Sequence, residues 1–88
     1  MMIKRERFSK IEAEQRIGRS IESLVEFSGV PKGATGRVVA ADPMDNGWDV
    51  VIEWDLPPRP FGLYHRPLRD WFVKSEYEQY LREIPVNV

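Results

Sequence analysis

Basic and aromatic side chains alternate in one short segment of the sequence, between positions 59 and 69. This segment contains Arg59, Phe61, Tyr64, His65, Arg66 and Arg69. An arginine guanidinium binds a carboxylate or a phosphate through two parallel hydrogen bonds, and neighbouring rings stack against a flat ligand. The segment therefore predicts a binding surface. Alternatively, its arginines neutralise an acidic hairpin in the same molecule or in a second copy.

Few residues in the chain suit catalysis. His65 is the single histidine, and there is no cysteine. No Gly-x-Ser-x-Gly sequence supplies a nucleophile for His65 to activate. The lack of cysteine also excludes disulfides, iron–sulfur clusters and thiolate zinc sites. We therefore expect a protein that is not an enzyme and that needs neither a cofactor nor a metal.

Three tryptophans are candidates for an aromatic platform that stacks bases, prolines or a cationic group. Apolar residues alternate from Trp48 to Leu56, and Trp54 lies on the apolar side of that alternation. This pattern predicts that Trp54 packs in the core. Trp48 beside a turn and Trp71 near the last helix remain candidate binding residues.

Several carboxylates surround the same predicted hairpin: Asp42, Asp45, Asp49, Glu53 and Asp55. Such a group can coordinate a hard cation, but the spacing fits no calcium-binding loop. Positions 49, 53 and 55 instead indicate the solvated face of a strand. Arg37, if it lies opposite that face, adds a modest cross-strand ion pair.

Two capping boxes predict short helices near the ends of the chain. Ser9 with Glu12 predicts a helix over 9–17 that Gly18 ends, and residues 1–8 are expected to be flexible. Ser75 with Glu78 predicts a helix over 75–84 that Pro85 ends. Its apolar stripe consists of Tyr77, Tyr80, Leu81 and Ile84.

Short strands are predicted between these helices, at 21–27, 36–41, 48–56, 63–66 and 69–73. The first has both helical and strand spacing, and we interpret it as a strand because Gly18 and Gly29 interrupt a helix. Asp45-Asn46-Gly47 predicts a tight hairpin whose register stays open. The predicted fold is one mainly β (α+β) domain over residues 1–88, a small barrel of about five antiparallel strands with two short helices.

The segment from Val25 to Val39 resembles a KOW-type motif, the strand–loop–strand of SH3-like barrels in ribosomal proteins and transcription elongation factors. The matching residues are Gly29, Lys32, Gly33, Gly36 and Val38. This resemblance implies that the loop, with Lys32 and Arg37, contacts RNA or a protein partner. Over a longer span, the Pro31-Lys32-Gly33 loop, the strand from Trp48 to Asp55 and the ending from Asp70 to Leu81 are similar to short bacterial proteins of uncharacterised function. This resemblance implies a product of an integron gene cassette.

Charge favours protein partners over nucleic acid. The formal net charge is −1, and the acidic residues concentrate in the middle of the chain, whereas a nucleic-acid-binding surface is basic. We therefore expect an interaction module that binds a protein partner or forms a homo-oligomer. RNA contact through the KOW-like loop and the 59–69 cluster is the second interpretation. The third is a small-molecule pocket between the barrel and the closing helix, with His65 and Arg66 as polar residues inside it. No apolar run approaches the roughly 20 residues of a membrane helix, so we expect a cytoplasmic protein.

Overall fold

The computed structural model describes residues 6–56 and 68–85. Most of the predicted basic and aromatic cluster (Arg59, Phe61, Tyr64, His65 and Arg66) and the predicted strand 63–66 lie outside these residues. The elements run in the order α1 (Lys10–Arg16), β1 (Ser20–Ser23), β2 (Thr35–Met44), β3 (Gly47–Trp54), β4 (Arg69–Phe72), α2 (Lys74–Tyr80) and β5 (Leu81–Glu83).

The strands form one antiparallel sheet in the order β4-β3-β2-β1-β5. This confirms a mainly β domain with two short helices. The interpretation of the ambiguous segment 21–27 as a strand is confirmed for β1, which ends at Ser23.

The predicted first helix is confirmed. The Ser9 hydroxyl accepts the Glu12 N–H at 3.2 Å, and the Glu12 carboxylate accepts the Ser9 N–H at 3.0 Å. Gly18 follows the helix with φ +92°. The expected flexibility of residues 1–8 is wrong for Phe8, which is only 1% exposed. Its backbone exchanges hydrogen bonds with Trp48 in β3, because burial of the ring fixes this segment beside the sheet.

The β2–β3 hairpin has a two-residue loop, since Met44 pairs with Gly47. Val38 pairs with Ile52, and a β-bulge then leaves Val39 without a partner, so that Ala41 pairs with Val50. The extra residue reverses the face of the sheet on which each following side chain of β2 lies. Val38 and Ala41 therefore both face the core, which explains why β2 is apolar on both faces in the sequence.

All five strands contribute to a single core. Its strand members are Ile21, Val38, Val50, Ile52, Trp54, Phe72 and Leu81, and the helices add Ala13 and Tyr77. Trp54 is 3% exposed, as the alternation predicted. Its indole lies against Gly36, where an added Cβ would come 2.7 Å from the Glu53 carbonyl oxygen. Gly36 thus leaves the space that Trp54 fills.

The predicted closing helix over 75–84 is wrong in its second half. α2 begins at Lys74 and ends at Tyr80, and residues 81–83 form β5 against β1. Ser75 is not the cap, because the Glu76 carboxylate accepts the N–H of Val73 at 3.3 Å. Leu81 is buried in the observed strand. Leu81 would also be buried in a longer helix, so the apolar stripe alone does not distinguish a helix from a strand here. Pairing with β1 determines that residues 81–83 form a strand.

Candidate functional site

The loop between β1 and β2, residues 24–34, is folded back on itself. Phe27 and Val30 exchange backbone hydrogen bonds around Ser28 and Gly29, which both have positive φ (38° and 84°). This is the geometry of a tight two-residue turn. Val30 is fully buried, so the loop is anchored in the core.

A second turn in the same loop spans residues 31–34, where Ala34 donates its N–H to the carbonyl of Pro31 at 3.1 Å. Gly33 then occupies the third position with φ +89°. A positive φ at this position defines a type II turn, which glycine forms without strain. Lys32 is exposed beside it.

An apolar groove of about 410 Å³ lies between this loop and α2. It is lined by Val25, Glu26, Phe27, Phe72, Glu76 and Tyr80. Phe72 is buried and forms the floor, while Val25 and Tyr80 are 36% and 37% exposed at the rim. The volume falls within the range of ordinary ligand pockets.

The walls of the groove are fixed by specific contacts. The N–H of Leu24 donates to the carbonyl of Tyr80 at 2.8 Å, which ties the loop to the end of α2. The ring of Phe27 packs edge-on against Phe72 and Trp54, with centroid distances of 5.6 and 5.7 Å. Such edge-to-face pairs stabilise aromatic clusters beyond simple burial. The groove is therefore preformed.

The rim of the groove is acidic. Glu26 and Glu76 line it, and neither forms an ion pair with any residue of segments 6–56 and 68–85. These segments contain all 14 acidic residues but only nine of the 13 basic ones. Six of those nine already form ion pairs: Arg7, Arg16, Arg19, Arg69, Lys74 and Arg82. Most of the cations in the described segments are therefore engaged by carboxylates outside the groove.

The predicted basic site residues are dispersed. Lys32 and Arg37 are exposed, and neither forms an ion pair within the described part of the chain. Arg37 lies opposite Glu53 in the β2–β3 register, as the predicted cross-strand arrangement requires. Glu53 instead binds Arg69, at 2.9 Å. This ion pair agrees with the alternative interpretation that Arg69 neutralises the acidic hairpin, while its role as a binding residue stays a prediction.

The tryptophans do not form one platform, because Trp54 and Trp71 lie on opposite faces of the sheet. Trp71 is opposite Val51 on the outer face, is 49% exposed, and donates its indole N–H to Asp42 at 2.9 Å. Trp48 is partly buried against the core, with the Lys10 ammonium 5.9 Å from its ring centroid. Trp71 is thus the most exposed of the three.

The alternation predicted that Asp49 lies on the solvated face of the strand. This prediction is wrong, since Asp49 is only 8% exposed. It is opposite Asp42 in the register, and its carboxylate lies 3.4 Å from the Arg7 guanidinium. Burial raises the pKa of Asp49 above its usual range, against the lowering effect of Arg7. No group of three or more potential metal ligands occurs within residues 6–56 and 68–85.

The groove residues were not among the predicted site residues. Tyr80 belonged to the predicted apolar stripe, and Phe27 stood beside a Ser-Gly turn, but neither feature reveals that the two lie together. A larger depression of about 520 Å³ lies after α1. Arg19 and Glu83, which line it, already bind each other at 3.1 Å. The apolar groove is thus the better candidate binding site.

No protein-family model, curated protein or solved structure matches the sequence. Within the residues that the structure describes, no helix has the length and apolar character to cross a membrane.

Proposed function

We propose that this protein is a small SH3-like barrel that acts as a non-enzymatic interaction module in the cytoplasm. It binds a protein partner, or a second copy of itself, through the groove between the β1–β2 loop and α2. The 59–69 segment stays part of the predicted contact surface.

Barrel closure is supported by the short connection between the two outer strands. β4 ends at Phe72 and β5 begins at Leu81, and α2 occupies most of the interval. A seven-residue helix spans about 10 Å, whereas the outer strands of a flat five-stranded sheet lie about 19 Å apart. Curling of the sheet brings those strands within reach of so short a connection. It also encloses a core to which every strand contributes.

The observation that carries the proposed function is the preformed apolar groove with an exposed rim. The rim residues Val25 and Tyr80 and the neighbouring Leu24 are all at least 36% exposed although they are large and apolar. Buried centres of protein interfaces are enriched in aromatic residues. A groove whose walls are already fixed also loses less conformational entropy on binding than a flexible loop does.

RNA contact is the second candidate, and the exposed Lys32 and Arg37 favour it. Binding to phosphates requires cations that are free to replace counterions. Six of the nine basic residues in the described segments are instead engaged by carboxylates of the same chain. Small-molecule binding, the third candidate, would use the same apolar groove.

Photo-crosslinking in cells of the source organism tests the proposal. The photoreactive residue p-benzoylphenylalanine replaces Tyr80 at the rim of the groove in one variant. In the control variant it replaces Ile11, an exposed apolar residue of α1 that is 69% exposed. We expect protease-sensitive adducts from position 80, either with another protein or with a second copy, and few from position 11.

Three results would contradict the proposal. Adducts that nuclease removes and protease does not would favour RNA contact. Stronger adducts from position 11 than from position 80 would place the contact surface on α1. The lack of any protein adduct at position 80 would leave the groove without the proposed function.

A further inference from the structure

We infer that the groove binds a partner segment in which one apolar side chain is flanked by lysine or arginine. This inference rests on the proposed function and specifies the chemistry of the partner.

The apolar part of the inference follows from the lining of the groove. Four of its six lining residues are apolar or aromatic: Val25, Phe27, Phe72 and Tyr80. Burial of an apolar side chain removes their exposed surface from water, which is favourable in proportion to the area covered. The volume of about 410 Å³ lies toward the small end of ligand pockets, which suits one large side chain better than an extended ligand.

The basic part follows from the charge of the rim. Glu26 and Glu76 lie on the loop side and the helix side of the groove, so a segment that enters it passes close to both carboxylates. The Glu76 carboxylate also accepts the N–H of Val73, which helps to hold it in place at the start of α2. Lysine or arginine beside the apolar anchor would pair with these groups, whereas Asp or Glu there would be repelled.

The two rim carboxylates also make binding dependent on ionic strength, although the whole chain has a formal net charge of only −1. Opposite charge accelerates the encounter of two proteins, and salt screens this effect over about 10 Å at 0.1 M ionic strength. We therefore expect binding to weaken when salt is added, in contrast to a purely apolar contact.

Three short peptides serve as probes in a titration followed by amide NMR shifts of the full chain. They are acetyl-Lys-Gly-Phe-Gly-Lys-amide, its counterpart with Glu in place of both Lys, and its counterpart with Ser in place of Phe. We expect the first peptide to shift the amides of Leu24, Val25 and Tyr80. It should bind roughly 3- to 10-fold more tightly than the Glu counterpart and roughly 10-fold or more tightly than the Ser counterpart.

Variants separate the rim carboxylates from overall charge. In Glu26→Gln/Glu76→Gln two rim charges are lost, and Gln at position 76 can still accept the Val73 N–H. The matched control, Glu14→Gln/Glu78→Gln, removes the same charge from exposed residues that do not line the groove. The first variant should weaken binding of the Lys-Phe peptide roughly 3- to 10-fold, and the control should change it less than twofold, roughly the effect of screened distant charge.

Each outcome decides a different claim. If the Glu-Phe peptide binds as well as the Lys-Phe peptide, the inferred charge preference is wrong, while protein adducts from position 80 still support the proposed function. If the Lys-Ser peptide binds equally well, the apolar anchor is wrong. If no peptide shifts the groove amides, the inference is refuted. The proposed function fails separately, when the crosslinker at position 80 captures no protein.

Discussion

Two tryptophan–aspartate hydrogen bonds allow a direct test of how burial sets interaction strength in this protein. Trp54 donates to Asp70 at 2.8 Å, and Trp71 donates to Asp42 at 2.9 Å. Donor, acceptor and distance are nearly identical in the two pairs. The donors differ in exposure, since Trp54 is 3% exposed and Trp71 is 49% exposed.

A hydrogen bond to a charged group contributes about 1.5–3 kcal/mol when it is protected from water, whereas exposed charged pairs contribute about 0.2–1 kcal/mol. Because Asp70 is itself only partly buried, we expect a coupling free energy of about 1–2 kcal/mol for Trp54 with Asp70. For Trp71 with Asp42 we expect about 0.5 kcal/mol or less.

Double-mutant cycles measured by urea unfolding provide the assay. One cycle uses Trp54→Phe and Asp70→Ala, and the other uses Trp71→Phe and Asp42→Ala. Subtracting the effects of the two single substitutions from that of the double substitution cancels the packing loss of each. The remainder is the coupling free energy of the pair. An equal or larger coupling for the Trp71 pair would refute the view that burial strengthens the inner bond.

Three further predictions concern individual residues. Gly36→Ala forces a Cβ against the Glu53 carbonyl and should lower the free energy of unfolding by about 1–3 kcal/mol, measured by urea denaturation. The Lys74 ammonium and the Ser9 groups lower the pKa of Glu12 to about 2, below its ordinary 4.5. The free energy of unfolding of the unmodified protein should therefore exceed that of Glu12→Gln by its full amount above pH 4.5, and this difference should disappear as the pH falls toward 2. A difference that stays constant with pH would contradict this. Lys32→Ala and Arg37→Ala should leave the salt dependence of oligouridylate binding unchanged in polarisation assays, whereas a flattened slope would favour RNA contact.

The sequence predicts the central hairpin and the first helix because their signals are local. Alternation over Trp48–Leu56 and the Asn46-Gly47 turn fix the strand and its inward face, and the Ser9–Glu12 capping box fixes the helix start. The register stayed open because the bulge at Val39 follows from packing on both faces of β2, which the order of residues along one strand does not reveal.

The remaining features depend on contacts between distant segments. Burial of Phe8 and conversion of residues 81–83 to a strand both require a neighbouring strand that is remote in sequence. The groove has the same origin, since Phe27 and Tyr80 come together only when the loop docks on α2. Basic and aromatic residues that are close in sequence were therefore easier to select as site candidates than the apolar groove.

Intermolecular NOEs between the Lys-Phe peptide and the protein test the central claim most directly. We predict NOEs from the peptide phenyl ring to the rings of Phe27, Phe72 and Tyr80. NOEs to Trp71 on the outer face of the sheet, with none to these three rings, would contradict the assignment of the groove as the contact surface.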